Sequence, residues 1–188
     1  MQIISHVNNI FNSITYVILD NKNMECWIVD VGDYEDIKKI IHGYTPKGVL
    51  LTHIHYDHIY GLNKLLIDYP YTPIYTNSIG LKYLSSPSDN LSLYHDDVFK
   101  ISDQALIVVL SDYSRIEMGN LFITAINTPG HDKSCMCYIS DKWIFTGDAY
   151  IPGKPIFDKL QNSDKNDARV SLAKIISLSI GKCIYPGH

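Results

Sequence analysis

The stretch LLTHIHYDHIYG, residues 50–61, holds four side chains of metal-binding type within six positions: His53, His55, Asp57 and His58. In a helix, residues two apart point about 200° away from each other, so His53 and His55 could not share an ion there. In a strand, residues two apart lie on the same face, and the preceding GVLLT is strand-like. We therefore predict that His53 and His55 follow the end of a strand. Asp57 and His58 then lie in the loop that turns back toward the same cavity.

Three further stretches place a ligand-type residue directly after glycine: NTPGH with His131, FTGD with Asp148 and YPGH with His188. Glycine lets the backbone turn sharply and approach an ion closely. Each stretch alone is a weak signal, and their strength comes from occurring together. Four ligand-type side chains in the 50–61 loop are already more than one tetrahedral ion usually takes from a single loop. The pattern therefore indicates two neighbouring ions.

Short apolar runs rich in β-branched and aromatic residues predict strands. They lie at 14–19, 26–31, 48–52, 105–110, 121–126, 136–140, 142–147 and 182–187. Helical periodicity is present at 34–42, 61–68, 77–84 and 164–179, with Ser163 or Asp164 as the candidate cap of the last helix. Strands with two groups of helices between them predict an α/β sandwich, in which helices cover sheets. The polar, turn-rich region 85–104 is expected to be a surface excursion.

The chain has 188 residues, 46% of them hydrophobic, which predicts one domain over residues 1–188. Its net charge is −4 and it has no run rich in Lys or Arg, which disfavours a nucleic-acid partner. The start, MQIISHVNNIF, lacks signal-peptide features, and no apolar run approaches the roughly 20 residues that span a bilayer. We therefore expect a cytoplasmic protein without a membrane partner. Its four cysteines include no CxxC pair and are expected to be free thiols.

In this order, the motifs THIHYDH, TPGH, TGDA and PGH resemble the metallo-β-lactamase superfamily, in the branch of glyoxalase II-like hydrolases. The resemblance covers essentially the whole chain. IVDVGD at 28–33 resembles the first motif of the family, in which an aspartate, here Asp30, supports the metal loop. The resemblance implies a four-layer αββα sandwich with the site at one edge, between the sheets.

The resemblance also implies a ligand set for two divalent metal ions. One ion would be held by His53, His55 and His131, and the other by Asp57, His58 and His188, with Asp148 bridging the two. Zinc suits these nitrogen and carboxylate ligands, and iron or manganese could use the same set. A hydroxide held between the ions would attack a small ester-like substrate, foremost a thioester, while Asp57 orients it and accepts a proton.

Three alternatives stay open within this resemblance. The first is a lactone or β-lactam hydrolase, and the second is a persulfide dioxygenase with one iron held by two His and one Asp. The third is a metal-binding protein with little turnover.

The sequence departs from the family pattern at several positions. HDKS replaces the usual HTxGS and puts Asp132 beside His131, and Tyr60 replaces a glycine, either as a packing residue or in the pocket wall. Lys154 occupies the place of a glutathione-contacting lysine, but Ile156 stands where an aromatic residue is usual, so we expect a solvated loop lysine.

The remaining expectations concern the end of the chain and the other histidines. Because the sequence ends at His188, we expect no C-terminal helical domain of the glyoxalase II type and weaker binding of the second ion. His6, His42 and His95 lie outside all motifs and are expected to be ordinary histidines.

Overall fold

Eleven strands form two sheets in the computed structural model of the chain, which describes residues 1–188. The strands are β1 (Gln2–Val7), β2 (Ile14–Asp20), β3 (Glu25–Val29), β4 (Thr45–Leu50), β5 (Ile74–Asn77), β6 (Ile107–Leu110), β7 (Ser114–Met118), β8 (Leu121–Asn127), β9 (Met136–Ile139), β10 (Trp143–Gly147) and β11 (Cys183–Pro186). The helices are α1 (Tyr34–Ile40), α2 (Tyr56–Ile59), α3 (Leu62–Asp68), α4 (Ser78–Tyr83) and α5 (Lys165–Ser179), with a 3₁₀ turn at Ser92–Tyr94. None of the helices combines the length and the apolar character that crossing a membrane requires.

The first sheet has the order β1-β2-β3-β4-β5-β6, and the second has the order β11-β10-β9-β8-β7. In the first sheet β1 to β3 are antiparallel, while β3 to β6 run parallel to one another. In the second sheet only β10 and β11 are parallel. Strands β4, β8, β10 and β11 matter most for function, because the predicted metal ligands follow their carboxyl ends.

Alternating side chains of the strands create the layers. In β2, Tyr16 and Ile18 point into the space between the sheets, where they pack with Phe145 from β10. Their neighbours Val17 and Leu19 point outward into a second apolar cluster that contains residues of α1 and α3. Helix α5 covers the outer face of the second sheet in a third cluster. The result is a four-layer αββα sandwich, which confirms the predicted fold class.

Most predicted elements are present, with ends shifted by a few residues. Helix α5 begins after Asp164, whose carboxylate accepts hydrogen bonds from the backbone N–H groups of Asn166 and Asp167, so Asp164 rather than Ser163 is the cap. Strands β1, β5 and β7 were not predicted. β1 and β7 lie at sheet edges with much of their surface exposed, and β5 has only four residues, so none has the long apolar run that marks a buried strand.

The region 85–104 is more than the surface excursion that its polar sequence predicts. Asn90, Ser92 and Phe99 are buried, and the Asn90 side-chain amide donates to the backbone carbonyls of Tyr83 and Phe99, each at 3.2 Å. These contacts fasten the segment to the body of the protein. They also fix the position of its tip, residues 91–95, beside the site described below.

We predict that Phe145→Ala lowers the free energy of unfolding by about 3–5 kcal/mol, because Phe145 is fully buried between the sheets and its removal leaves a cavity. Urea unfolding would measure the change. The control is Phe122→Ala on the exposed face of β8, which removes a ring that is 54% exposed and stacked under Arg115. This control is expected to cost less than about 1 kcal/mol. Equal losses for the two variants would contradict the assigned core.

Candidate metal centre

Four segments that follow strand ends supply the predicted ligands. The prediction that Asp57 and His58 lie in a loop is wrong, because both belong to the short helix α2, which turns them toward the same cavity. β4 ends at Leu50, shortly before His53, and β8 ends at Asn127, shortly before His131. Asp148 directly follows β10, while His188 lies just beyond β11. The structure brings all seven predicted ligand residues together at one edge of the sandwich: His53, His55, Asp57, His58, His131, Asp148 and His188.

Six of these residues form two groups, in each of which the candidate ligand atoms lie within 4.8 Å of one another. The three-histidine group consists of His53, His55 and His131, and the mixed group consists of Asp57, His58 and His188. Asp148 lies between them: its Oδ2 is 3.6 Å from His131 Nε2 and its Oδ1 is 2.9 Å from His188 Nδ1. The side chains are thus positioned for binding two metal ions, with Asp148 in reach of both groups.

Hydrogen bonds fix which ring nitrogen of each buried histidine faces the centre. His58 Nδ1–H donates to Asp30 Oδ2 at 2.8 Å, and His131 Nδ1–H donates to the carbonyl oxygen of Phe157 at 2.7 Å. The Thr52 hydroxyl donates to Asp30, so it can accept from Nδ1–H of His53 at 3.2 Å. In all three rings Nε2 is therefore the nitrogen that faces the centre and that a cation would bind.

One of these nitrogens supports a metal site directly. The Nε2 atom of His53 is buried without any hydrogen-bond partner, and the side chain is fully inaccessible to solvent. A buried polar atom without a partner costs about 1–3 kcal/mol. A cation bound at this nitrogen would remove that cost, whereas Nε2 of His58 has the carboxylate of Asp57 3.3 Å away. The donor set of imidazole nitrogens and carboxylate oxygens fits zinc and, with the same ligands, iron or manganese.

The two groups differ in their protonation. Burial lowers the pKa of His53 well below its usual value, with a further contribution from the neighbouring His58, and burial likewise lowers the pKa of His131. Burial also disfavours a charge on His58, but the carboxylates of Asp57 and Asp30 outweigh it and raise its pKa to about 10. The same two opposing effects, burial and nearby carboxylates, determine the pKa of His188.

In His188, burial opposes protonation, and the hydrogen bonds to Asp148 and Asp57 raise the pKa to about 9. The same contacts lower the pKa of the Asp148 carboxyl, although its burial acts in the opposite direction. Without metal, the mixed group is thus held together by protons between carboxylates and imidazoles. The three-histidine group already offers neutral nitrogens from His53 and His131.

Asp30 supports residues 52–58, the segment that runs from the end of β4 into α2 and is called the ligand loop below, as the resemblance predicts. Its Oδ1 accepts from the backbone N–H of Thr52 at 2.8 Å, and its Oδ2 accepts from the Thr52 hydroxyl at 2.6 Å as well as from His58. Its backbone has a φ of +56°, a left-handed conformation that is uncommon for a residue with a side chain. The backbone thereby directs the carboxylate toward the loop at residues 52–58.

Glycine is required beside the last ligand. A Cβ on Gly187 would lie 2.1 Å from Asp148 Oδ1, far inside a van der Waals contact. The absence of a side chain lets the backbone before His188 pass directly over the Asp148 carboxylate, which explains the PGH spacing in physical terms.

Asp132 contributes to the centre in a way that the sequence did not reveal. Its Oδ1 accepts from the backbone N–H of Ser134 at 2.7 Å and from the hydroxyl of the same residue, and its buried Oδ2 lies 3.5 Å from His55 Nε2. His55 Nδ1 faces His131 Nε2 at 3.0 Å. We expect this contact, which is longer than an ordinary hydrogen bond, to orient the ring of His55 so that Nδ1 faces the centre. The HDKS motif was a visible signal, but its role depends on a fold that brings residues 55 and 132 together.

A cavity of about 540 Å³ opens beside the two groups, and its lining includes His55, Asp57, His131, Asp148 and His188. His95 also lines it, so this histidine lies beside the site although it belongs to none of the motifs. Lys154 is exposed, as expected of a loop lysine, and it lies at the rim of this cavity. Tyr60 is not part of the lining. It packs against the apolar cluster under α1 and α3 and donates its hydroxyl hydrogen bond to Asp33.

The sequence model of the metallo-beta-lactamase superfamily matches residues 11–188 of the chain. The chain belongs to the metallo-β-lactamase superfamily. A probable metallo-hydrolase of Streptococcus pyogenes is 28% identical over 196 residues, which cover all of this chain and 84% of that protein. The hydroxyacylglutathione hydrolase of Salmonella typhi is 29% identical over 177 residues, and these cover 91% of this chain but 60% of the enzyme. Membership of this superfamily of metallo-hydrolases supports a hydrolytic enzyme.

The crystal structure of the BLEG-1 B3 metallo-beta-lactamase superposes on the whole chain with a TM-score of 0.90. The match covers 91% of that protein at 22% identity, which supports the fold alone. The metallo-β-lactamase fold therefore agrees with the two sheets and the edge position of the site.

We predict that metal binding to the mixed group releases protons, because the raised pKa values of His58 and His188 keep both rings protonated at pH 7 without metal. Affinity for that ion should rise with pH toward about 10 and fall as protons compete below it. Calorimetric zinc titrations of metal-stripped protein in buffers of different ionisation heat would count the protons. His53 and His131 should release none, since their pKa values are lowered. Zinc binding with no proton release at pH 7 would contradict the assignment.

We predict that Asp132→Asn weakens zinc binding about 10–100-fold. The amide would accept from Ser134 through oxygen and present its NH₂ group to His55 Nε2, which favours the tautomer with the proton on Nδ1, the nitrogen that faces the centre. Competition with a chromophoric chelator would measure the affinity. Asp112→Asn, at an exposed carboxylate paired with Lys174, is the control. Equal affinity of the two variants would show that Asp132 does not orient His55.

Proposed function

We propose that this protein is a metal-dependent hydrolase that cleaves small thioesters with the help of two divalent metal ions, foremost zinc. One observation carries the proposal: seven imidazole and carboxylate side chains converge at one edge of the sandwich, as two adjoining groups with Asp148 between them, and five of the seven line a single open cavity. A mononuclear site would not need the complete mixed group beside the three histidines. The two-group arrangement therefore favours hydrolysis over iron-dependent sulfur oxidation.

The proposed ligand assignment follows the two groups. His53, His55 and His131 would hold one ion, Asp57, His58 and His188 the other, and Asp148 would reach both through its two oxygens. When bound, such ions lower the pKa of a coordinated water toward about 7 and polarise the substrate carbonyl. The protein's own contribution is to fix the ring tautomers, through Asp30 and Asp132, and to shape the cavity.

Asp57 is the proposed catalytic residue of the chain. It lines the cavity, and its Oδ2 lies 3.3 Å from His58 Nε2 and 3.2 Å from His188 Nε2. Burial would raise the pKa of its carboxyl, but the neighbouring His58 and His188 lower it, so the carboxylate is ionised and can accept a proton. From this position Asp57 would orient the attacking water and take up its proton.

No cysteine side chain competes for the role of nucleophile. Cys135 and Cys137 are buried, and neither lines the cavity. Burial raises the pKa of Cys137 to about 12, so its thiol is not ionised at neutral pH. Hydrolysis by activated water therefore fits the cavity better than an acyl-enzyme intermediate.

The thioester specificity rests on similarity. The hydroxyacylglutathione hydrolases that match the chain are near 29% identical, and the chain spans about 60% of their length in the matches from Salmonella. A thioester is therefore the first substrate class to test, with lactones and β-lactams as the nearest variants. A cytoplasmic location remains a prediction from the sequence.

Metal analysis and a substrate panel test the proposal together. Purified protein should contain about two zinc-like ions per chain and hydrolyse simple thioesters, and chelation should abolish the activity reversibly. A single iron with oxygen consumption on a persulfide substrate would replace the proposal with sulfur oxidation. Two bound ions with no hydrolysis of thioesters, lactones or β-lactams would leave a metal-binding protein without this activity.

We predict that Asp57→Asn lowers kcat for thioester hydrolysis about 10²–10⁴-fold, because the amide cannot accept the proton of the attacking water. Asp103→Asn at an exposed loop position is the matched control and should keep wild-type kcat. Zinc content measured on the same samples separates loss of catalysis from loss of metal. An Asp57→Asn variant with wild-type kcat would exclude Asp57 as the catalytic residue.

A further inference from the structure

The cavity beside the metal centre has an apolar wall that the metal chemistry does not use. Three of its large side chains are mostly exposed to solvent: Phe11 is 68% exposed, Tyr94 is 79% exposed and Phe157 is 55% exposed. They come from three separate loops and line the same cavity. Exposed apolar side chains gathered around one opening are typical of a binding site.

Part of this wall is held in an unfavourable backbone conformation. Phe11 has a φ of +53° and Leu91 a φ of +64°, and both residues line the cavity. A left-handed conformation at a residue with a side chain costs about 1–2 kcal/mol, and such strain concentrates at functional sites. Two residues that present apolar side chains to the cavity thus have energetically unfavourable backbone conformations.

His95 joins the apolar wall to the ligand loop. Its ring packs against Tyr56 with centroids 4.3 Å apart and meets Phe11 edge-on at 5.6 Å. Tyr56 precedes Asp57 in the chain and is buried. The wall is therefore continuous with the loop that carries Asp57, and a group held by the wall lies next to the reacting centre.

Phe157 lines the cavity across from His95, and hydrogen bonds fix its position relative to the metal ligands. Its carbonyl oxygen accepts from His131 Nδ1–H, and the Ser163 hydroxyl donates to the carbonyl of His131 at 2.6 Å. The Gln161 amide donates to the Ser88 carbonyl at 2.8 Å, which ties this loop to the 85–104 segment. Both sides of the apolar wall are thus anchored.

The charges that line the cavity restrict the substrate further. Lys154 is the one lysine or arginine in the lining, and the two carboxylates there, Asp57 and Asp148, belong to the proposed metal centre. Because the proposed metal ions would face the reacting carbonyl, a substrate with two carboxylates would leave at least one without a cationic side chain as its partner. The lining matches a substrate that carries at most one negative charge.

Resting on the proposed function, we infer that the substrate is a thioester with an aromatic or branched apolar acyl group and no more than one carboxylate, rather than a thioester of a multiply charged peptide thiol. The apolar group would lie against Tyr94 and Phe157, and a carboxylate, where present, would face Lys154. Hydrolysis adds water across the C–S bond: the carbonyl carbon gains the oxygen of water, and the leaving thiolate takes up a proton.

The first test compares two acyl groups on one thiol and adds a glutathione thioester for comparison. Zinc-loaded protein would be assayed with N-acetylcysteamine thioesters of acetate and phenylacetate, and with lactoylglutathione. We expect phenylacetyl to exceed acetyl in kcat/KM by about tenfold or more, because even one methylene in a matching pocket is worth about tenfold. Lactoylglutathione should be no better than the acetyl thioester.

The second test uses matched variants of exposed rings. Tyr94→Ala and Phe157→Ala should each remove most of the phenylacetyl preference, mainly by raising KM. Tyr71→Ala and Phe122→Ala, which remove rings of 89% and 54% exposure outside the cavity, should keep it. Because all four rings are exposed, these substitutions leave the buried core intact.

A binding measurement separates the failure of this inference from the failure of the proposed function. Calorimetry with the thioether S-phenethyl-N-acetylcysteamine needs no turnover, and Tyr94→Ala should raise its Kd about tenfold while Tyr71→Ala leaves it unchanged. If Tyr94→Ala weakens thioether binding, Tyr71→Ala does not, and no thioester is hydrolysed, the hydrolase proposal is wrong while the apolar binding site is supported. Equal rates for acetyl and phenylacetyl thioesters, with equal Kd values in all variants, would overturn the inference and leave the hydrolase.

Discussion

The centre depends on the hydrogen bonds that the buried carboxylate of Asp30 accepts. A charge removed from water is tolerated only when it is fully paired, and Asp30, which is 1% exposed, accepts from two groups of Thr52 and from His58. It follows β3, and Thr52 follows the neighbouring parallel strand β4. One carboxylate therefore fixes the ends of two strands, the start of the ligand loop and the tautomer of a ligand histidine. A change there would disturb the loop and the metal site together.

The sandwich supplies what a loop alone cannot. A loop of four ligand-type residues has many conformations, and ordering each residue costs conformational entropy. The parallel strands of the first sheet hold His53 and His55 from one side, while β8, β10 and β11 bring His131, Asp148 and His188 from the other. Because the apolar space between the sheets is closely packed, the two halves meet at a fixed distance.

The sequence was most informative where residues of metal-binding type occur in short motifs. The THIHYDH, PGH and GD motifs contain the seven candidate ligands that the structure brings together, and the β2 and β10 runs contain core residues. It was least informative where partners are distant in the chain. Asp132 and His55 are separated by 77 positions, and the contact of His131 with Phe157 uses a backbone carbonyl that no side-chain pattern encodes. Edge strands β1 and β7 were missed because half-exposed strands lack a continuous apolar run.

The loop after β10 contacts a proposed metal ligand and also lines the cavity. A single residue, Phe157, provides the carbonyl that sets the tautomer of His131 and the ring that lines the cavity. His95 and Tyr56 make a similar connection on the opposite wall, next to Asp57. A ligand that packs against these rings would press on residues that hold the metal ligands in place. Binding of the proposed apolar group would therefore be coupled to the geometry of the centre through direct contacts. Buried Asn90 and Phe99 fasten the 85–104 segment, which carries His95 and Tyr94 on one side of the cavity.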